Sequence, residues 1–109
     1  MKKINFYVIN RTEPTFVEMT GSYERIFDIT GNRYIDVVYH KDDNGYWHIT
    51  HLDSGMTIKS FITSRKNAMQ EARELFEATY KVQSNGYIKE CIKELEEYKN
   101  NLLIGNYNG

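Results

Sequence analysis

A chain of 109 residues, 40% apolar and 27% charged, has room for one hydrophobic core and lacks the polar bias of a disordered segment. Its formal net charge of −1 excludes, as bulk properties, both the basic excess of nucleic-acid binders and the acidic excess of a DNA mimic. A single cysteine, Cys91, rules out an intramolecular disulfide and a zinc site built on several thiolates.

In chain order, Ile4, Phe6 and Val8 alternate with Asn5, Tyr7 and Ile9 and read as a first strand. Arg11-Thr12-Glu13-Pro14 breaks it, because proline has no N–H to give to a ladder. Thr15 to Thr20 reads as a second strand, Gly21-Ser22 as a turn and Tyr23 to Ile29 as a third strand. Thr30-Gly31-Asn32 supplies the next turn, with glycine for a positive φ. Arg33 to His40 follows, with Ile35, Val37 and Tyr39 on one face. Asp42-Asp43-Asn44-Gly45 then predicts a tight hairpin, since Asn-Gly between alternating runs suits the turns that match strand twist. Tyr46 to Leu52 and Met56 to Ile62 are two more strands, joined by Asp53-Ser54-Gly55. Arg65 to Tyr80 carries an apolar stripe of Ala68, Met69, Ala72, Leu75, Phe76, Thr79 and Tyr80, capped by Thr63 or Ser64. Asn85-Gly86 reads as a helix stop. Ile88, Cys91, Ile92, Leu95, Tyr98 and Leu102 form the stripe of a second helix or of a kinked continuation.

The expected architecture is therefore a single α+β domain, an antiparallel meander sheet of five or six strands followed by one or two C-terminal helices packed on one face. The sheet spans 1–62, the first helix 63–84, the second 86–104, and 105–109 is a frayed tail. Trp47, Ile49, Ile35, Val37, Ile58, Leu75 and Phe76 are the expected core.

Candidate chemistry is sparse. His40 and His48 face each other if the Asn44-Gly45 turn is tight, and with Asp42, Asp43 and Asp53 nearby they are the only candidates for a metal site. His48 and His51 lie three apart on a strand and so point to opposite faces, which keeps them from sharing an ion. Ser54, Ser60 and Ser64 sit in no nucleophile-elbow motif, and the side chains of adjacent Asp42 and Asp43 diverge. Cys91 lies on an apolar stripe and reads as a core thiol. These features predict a non-enzymatic chain without a cofactor. No apolar run approaches the roughly 20 residues of a membrane-spanning helix, and Met1 to Asn10 lacks the apolar core of a signal peptide. With one cysteine, the expected location is the cytoplasm.

The stretch Gly55 to Phe61, then Thr63-Ser64-Arg65-Lys66-Asn67-Ala68 and Ala72, resembles the last strand and helix start of the three-strand-plus-helix DNA-binding domains of phage integrases. That resemblance implies a sheet entering the major groove. Charge opposes it: Tyr23 to Ile62 holds four basic residues against six acidic ones. In size and composition the whole chain resembles small accessory proteins of phages and mobile elements, among them anti-CRISPR proteins. This implies a protein partner, such as a CRISPR effector nuclease kept from loading or binding DNA in the host cytoplasm. The residues expected to meet a partner are Asp42, Asp43, Tyr46, His48, Asp53 and Phe61, with Glu94, Glu96 and Glu97 of the second helix. Their aromatic and acidic character suits an arginine-rich protein surface.

Overall fold

The computed structural model describes residues 1–10 and 15–108, with side chains through Leu103. The loop expected at Arg11–Pro14 lies outside the described residues, as does Gly109 of the expected tail. Five antiparallel strands run in simple meander order: β1 (Lys2–Asn10), β2 (Thr15–Phe27), β3 (Tyr34–Lys41), β4 (Trp47–His51) and β5 (Thr57–Ile62). Helices α1 (Arg65–Glu74), α2 (Phe76–Val82) and α3 (Gly86–Asn108) follow. The α+β meander is as expected, with five strands.

One expected turn is absent. Gly21-Ser22 lies inside β2, where Gly21 pairs with Ile4 of β1 and Ser22 pairs with both Lys3 of β1 and Tyr39 of β3. Glycine is needed there because of close packing. A β-carbon at Gly21 would lie 2.6 Å from Val38 Cγ1, 2.7 Å from the Tyr39 carbonyl oxygen and 3.0 Å from the Phe6 ring.

This is where the sheet folds back. Ile9 pairs with Phe16. The turn holding Gly55 is anchored on His51, which pairs with Val37, itself opposite Glu24. Phe16 and Glu24 are eight residues apart on one strand, about 26 Å in a flat sheet. Yet the Ile9 N–H donates to the Gly55 carbonyl at 2.9 Å. The β1–β2 hairpin must therefore curl over, carrying the Phe6 ring to 5.0 Å from His40. Phe6, Val38, His40 and Thr50 are all buried on this side.

The other face of the sheet carries the helices. Ile26, Ile35, Val37, Tyr39, Ile49 and Ile62 pack against Ala68, Ala72 and Phe76, with Trp47, Ile58, Met69 and Tyr80 around them. Leu75, expected in the core, is half-buried. Ser64 caps α1: its φ is −152° and its Oγ accepts the Asn67 N–H at 3.1 Å. The single helix expected over 63–84 is divided at Leu75, whose φ of −89° and ψ of 7° leave the helical region. The i to i−4 bonds nonetheless pass through it, Leu75 to Glu71 and Thr79 to Leu75, each 2.9 Å, so the apolar stripe stays in phase.

The break expected at Asn85-Gly86 is present, and Asn85 serves both helices: its N–H donates to the Val82 carbonyl at the end of α2 at 3.0 Å. Its side chain accepts the Tyr87 N–H at 2.8 Å, the bond of an N-cap, so α3 is a separate helix. α3 buries Ile88, Cys91 and Leu95 and sets Tyr98 against Tyr7 and Phe16, at ring separations of 5.6 and 5.2 Å. Its backbone is helical through Asn108, beyond the limit expected at 104. Among the described residues no helix is long and apolar enough to cross a membrane.

The crowding at Gly21 sets a measurable cost. Gly21→Ala is expected to destabilise the protein by about 1–3 kcal/mol in equilibrium urea unfolding, because backbone and β-branched neighbours must move. Gly86→Ala, where an added β-carbon meets nothing within 4 Å, serves as the control and should change stability by less than about 1 kcal/mol. Equal effects at the two glycines would remove the packing explanation.

Candidate functional site

The Asn44-Gly45 turn forms as the sequence predicts, with Gly45 at a φ of +89°. Asp42 organises it. Its Oδ1 accepts the N–H groups of Asn44 and Tyr46 at 2.9 and 3.0 Å, and its Oδ2 is 2.8 Å from His48 Nε2. The His48 bond, helped by the two backbone donors, holds the Asp42 carboxyl below its usual range.

Tight pairing places His40 opposite His48, with rings stacked 5.3 Å apart. His48 in turn meets Phe61 at 5.5 Å, and Phe61 meets Tyr46 at 5.9 Å. With Phe6 on His40, five rings run in contact from the buried side of the sheet to its exposed rim. At the rim Tyr46 is 42% and Phe61 72% exposed. Phe61 also has a φ of +59°, in the left-handed region that costs a non-glycine residue about 1 kcal/mol or more. It lies inside the irregular stretch of β5, between Lys59, which pairs with Ile49, and Ile62, which pairs with Trp47.

His40 is the buried end of this chain of rings. Its Nε2 is 2.8 Å from Thr50 Oγ1, while Nδ1 is buried without a hydrogen-bond partner among the described residues. Burial above all, with the neighbouring His48 adding to it and Asp42 opposing, lowers its pKa to about 4. His40 and His48 are thus adjacent, as the metal reading required. Each already has its Nε2 engaged, however, and no three His, Cys, Asp or Glu side chains converge among the described residues.

The remaining expected contact residues lie elsewhere. Asp43 is exposed beside Asp42, whereas Asp53 is exposed at the far end of β4. Glu94, Glu96 and Glu97 are exposed on α3, and Glu94 borders a cavity with Ile9 and Phe16, near β1 and β2. Tyr7 packs under α3. The structure therefore joins Asp42, Tyr46, His48 and Phe61 into one surface and leaves the α3 acids apart.

His51 faces the helices, opposite to His48. Its Nδ1 lies 2.7 Å from Ser54 Oγ and its Nε2 3.0 Å from Gln83 Oε1. In a neutral imidazole the Gln83 oxygen, which only accepts, selects the tautomer with the proton on Nε2, and Nδ1 then accepts from the Ser54 hydroxyl. Beside the triplet is an apolar cavity of about 290 Å³ lined by Met56, Ile58, Leu75 and Ile88. The order hydroxyl, imidazole, acceptor resembles an activated nucleophile. Ser54 is fully buried, however, and its oxygen already accepts the Met56 N–H at 3.2 Å. The triplet ties the β4–β5 turn to the end of α2. Sequence spacing gave no sign of Gln83, which lies 32 residues from His51.

Four cations that a nucleic-acid reading would use are paired. Arg25 bridges to Asp36, Arg33 to Asp28 and Glu77, Lys59 to Glu71 and Arg73 to Glu24, at 2.6–2.9 Å. No protein family, curated protein or solved structure matches the chain.

The buried imidazole makes stability pH-dependent. A pKa lowered from 6.5 to about 4 means that the unfolded chain binds the His40 proton first as pH falls. The associated stability is complete above pH 6.5, declines below it and is gone near pH 4, at most about 3 kcal/mol. The paired aspartates, whose pKa values are lowered, lose their contribution at still lower pH. Urea unfolding between pH 7 and 4.5 should show this loss, and His40→Leu should flatten the slope. An unchanged slope in the variant would assign it to other groups.

Proposed function

We propose that this chain is a non-enzymatic protein-binding module whose contact surface is centred on Phe61, with Tyr46 and His48 beside it. The observation that carries this reading is Phe61 itself. A large apolar side chain is 72% exposed on a backbone held at a φ of +59°. A residue in that position costs the free protein stability twice, through backbone strain and through exposed apolar surface. Binding a partner recovers the second cost. Aromatic side chains with few rotatable bonds are the usual anchors of such contacts. Edge-on contacts with His48 and Tyr46 hold the ring at the rim of the sheet.

The partner class favoured by the chain's resemblance to mobile-element accessory proteins is an RNA-guided nuclease. What supports this is size and composition, together with acidic Asp43 beside the aromatic surface. The alternative, DNA read by the sheet, is weakened by the four paired cations and by Phe6, which overlies His40 on the face that would meet the groove.

Substitution at Phe61 separates binding from folding. Phe61→Gly relieves the positive φ and should leave unfolding stability within about 1 kcal/mol of wild type. Phe61→Ala should behave similarly, because the side chain is mostly in water. Partner affinity should fall at least about tenfold in both. A stability loss of several kcal/mol would instead make Phe61 a packing residue. For the partner class, purified protein is mixed with a panel of CRISPR nucleases. Loss of target cleavage, restored by Phe61→Ala, is expected. Undiminished cutting throughout removes the nuclease while leaving the surface to another protein. Retention on a DNA column with steep salt dependence would favour the alternative.

A further inference from the structure

β5 is the last strand of the sheet and pairs only with β4. Which of its backbone groups face outward follows from that ladder. The His51 N–H donates across the β4–β5 junction to the Met56 carbonyl at 2.8 Å. Ile49, two residues earlier on β4, turns its N–H and C=O the same way, toward its partner Lys59. Lys59 turns its own groups inward to meet them, so its neighbours Ile58 and Ser60 turn theirs to the open side. Outside the ladder with β4, no residue of β5 makes a backbone–backbone hydrogen bond among the described residues. Such a row of donors and acceptors is matched in full by one kind of object, another extended backbone.

A cleft of about 380 Å³ runs beside this edge. One wall is residues 59–63. Consecutive residues of a strand alternate between its two faces, so a continuous run of them along one cleft means that the strand presents its edge. The other wall is one face of α1, where Asn67, Gln70, Glu71 and Glu74 recur at steps of three and four. Strand and helix run in opposite directions along the cleft: Asn67 Nδ2 donates to Thr63 Oγ1 at 3.1 Å, and Lys59 Nζ reaches Glu71 at 2.6 Å. Glu74 therefore lies toward the start of β5 and Phe61 toward its end. A strand edge flanked by a helix is the geometry in which an extended segment joins a sheet. Main-chain bonds then supply affinity, and the flanking wall reads alternate side chains.

Charge sets what that wall reads. The cleft holds one Lys against two Glu, a net of −1. Lys59 and Glu71 neutralise each other, whereas Glu74 is exposed, accepts a neutral bond from Gln70 at 3.2 Å and is paired with no cation among the described residues. At the other end, the extra residue between Lys59 and Ile62 interrupts the ladder and re-aims the Phe61 ring, which confines an added strand to the part of β5 before it.

We infer that the outer edge of β5 is a peptide-binding site, which takes an extended segment of a protein partner as a sixth strand, with a Lys or Arg of that segment on Glu74 and an apolar side chain of it on Phe61. The inference rests on the reading of Phe61 as a protein contact and specifies the form of the partner. A nucleic-acid duplex has no backbone amides to pair with Ile58 and Ser60, and its phosphates would meet an uncompensated carboxylate. A second copy of β5 would bring a second Glu74 to the same seam.

The test uses the full chain and defined peptides. A library of peptides of about 12 residues displayed on phage is selected on the immobilised protein, and enriched sequences are synthesised and titrated. The expected peptides carry a Lys or Arg and an apolar residue at a fixed spacing. At saturation, amide hydrogen exchange at Ile58 and Ser60 should slow at least about tenfold. N-methylation of alternate peptide amides should weaken binding at least about tenfold in one of the two alternating sets and little in the other. Glu74→Gln should weaken binding about three- to tenfold at roughly 50 mM salt and by less at roughly 300 mM. Failure to enrich any peptide overturns the inference, as does a bound peptide that leaves the Ile58 and Ser60 amides unprotected. If binding of that second kind is lost in Phe61→Ala, the Phe61 surface stands and the edge site does not. Edge protection with unchanged affinity in Phe61→Ala supports the edge site and overturns the Phe61 reading. Self-association in sedimentation that protects Ile58 and Ser60 without peptide also overturns the inference, by naming a second copy as the occupant.

Discussion

The close approach at Gly21 is the constraint on which the rest of the molecule depends. Because no β-carbon stands there, β2 passes against Val38 and Phe6 while still pairing with strands on both sides. The β1–β2 hairpin can then curl until Ile9 meets Gly55. The helices cover one face of β3, and the curl covers the middle of the other, so Ile35 to His40 are buried without a break. A single small sheet gains two buried faces with helices on only one side. Some of the apolar side chains left exposed lie at the two ends of β3, beyond the reach of the curled hairpin, while others such as Val17, Val82, Tyr87 and Leu103 lie elsewhere. The positions of Phe61 with Tyr46, and of Ile29 with Phe27, follow from that geometry.

Charged groups hold the layers in place more than they hold them together. Arg33 joins the β2–β3 turn to Glu77 of α2, and Arg73 joins α1 to Glu24, which also accepts from the Tyr39 hydroxyl at 2.7 Å. Such partly exposed pairs are each worth about 0–1 kcal/mol. Burial of Ile35, Val37, Ile49 and Phe76, at about 1.5–3 kcal/mol for each side chain, outweighs them. The ion pairs join the helices to the sheet, and in doing so they consume cations that would otherwise attract phosphate. Arg25, Arg33 and Arg73 are turned to the chain's own carboxylates.

Much of the fold was legible because its signals are local. Alternation gave β3 and β4 and the opposed directions of His48 and His51, Asn44-Gly45 gave the His40–His48 pairing, and Ser64 gave the start of α1. The errors have a common cause. Glycine at a turn and glycine under a crossing side chain look the same in sequence, and only Val38, 17 residues away, distinguishes them at Gly21. Asn85-Gly86 reads as a stop and also serves as a cap. Nothing around Leu75 signals a break, and its stripe remains in phase across one. At the site, Tyr46, His48 and Phe61 could be grouped because they flank one hairpin. Ile29 was read as the last residue of a strand, whereas β2 ends at Phe27 and leaves it in the turn.

The aspartates of two turns share a design. Asp42 and Asp28 each follow a strand, each give one carboxylate oxygen to donors of the turn, and each give the other to a side chain, His48 in one case and Arg33 in the other. Charge alone would assign such residues to an oppositely charged partner. Their oxygens are instead occupied within the chain, and what they present outward is an apolar neighbour: Tyr46 and Phe61 near Asp42, Ile29 next to Asp28. An acidic turn built this way gives rigidity and not attraction. Rigid apolar anchors lose little conformational freedom on binding, about 0.5–1.5 kcal/mol less for each side chain already ordered.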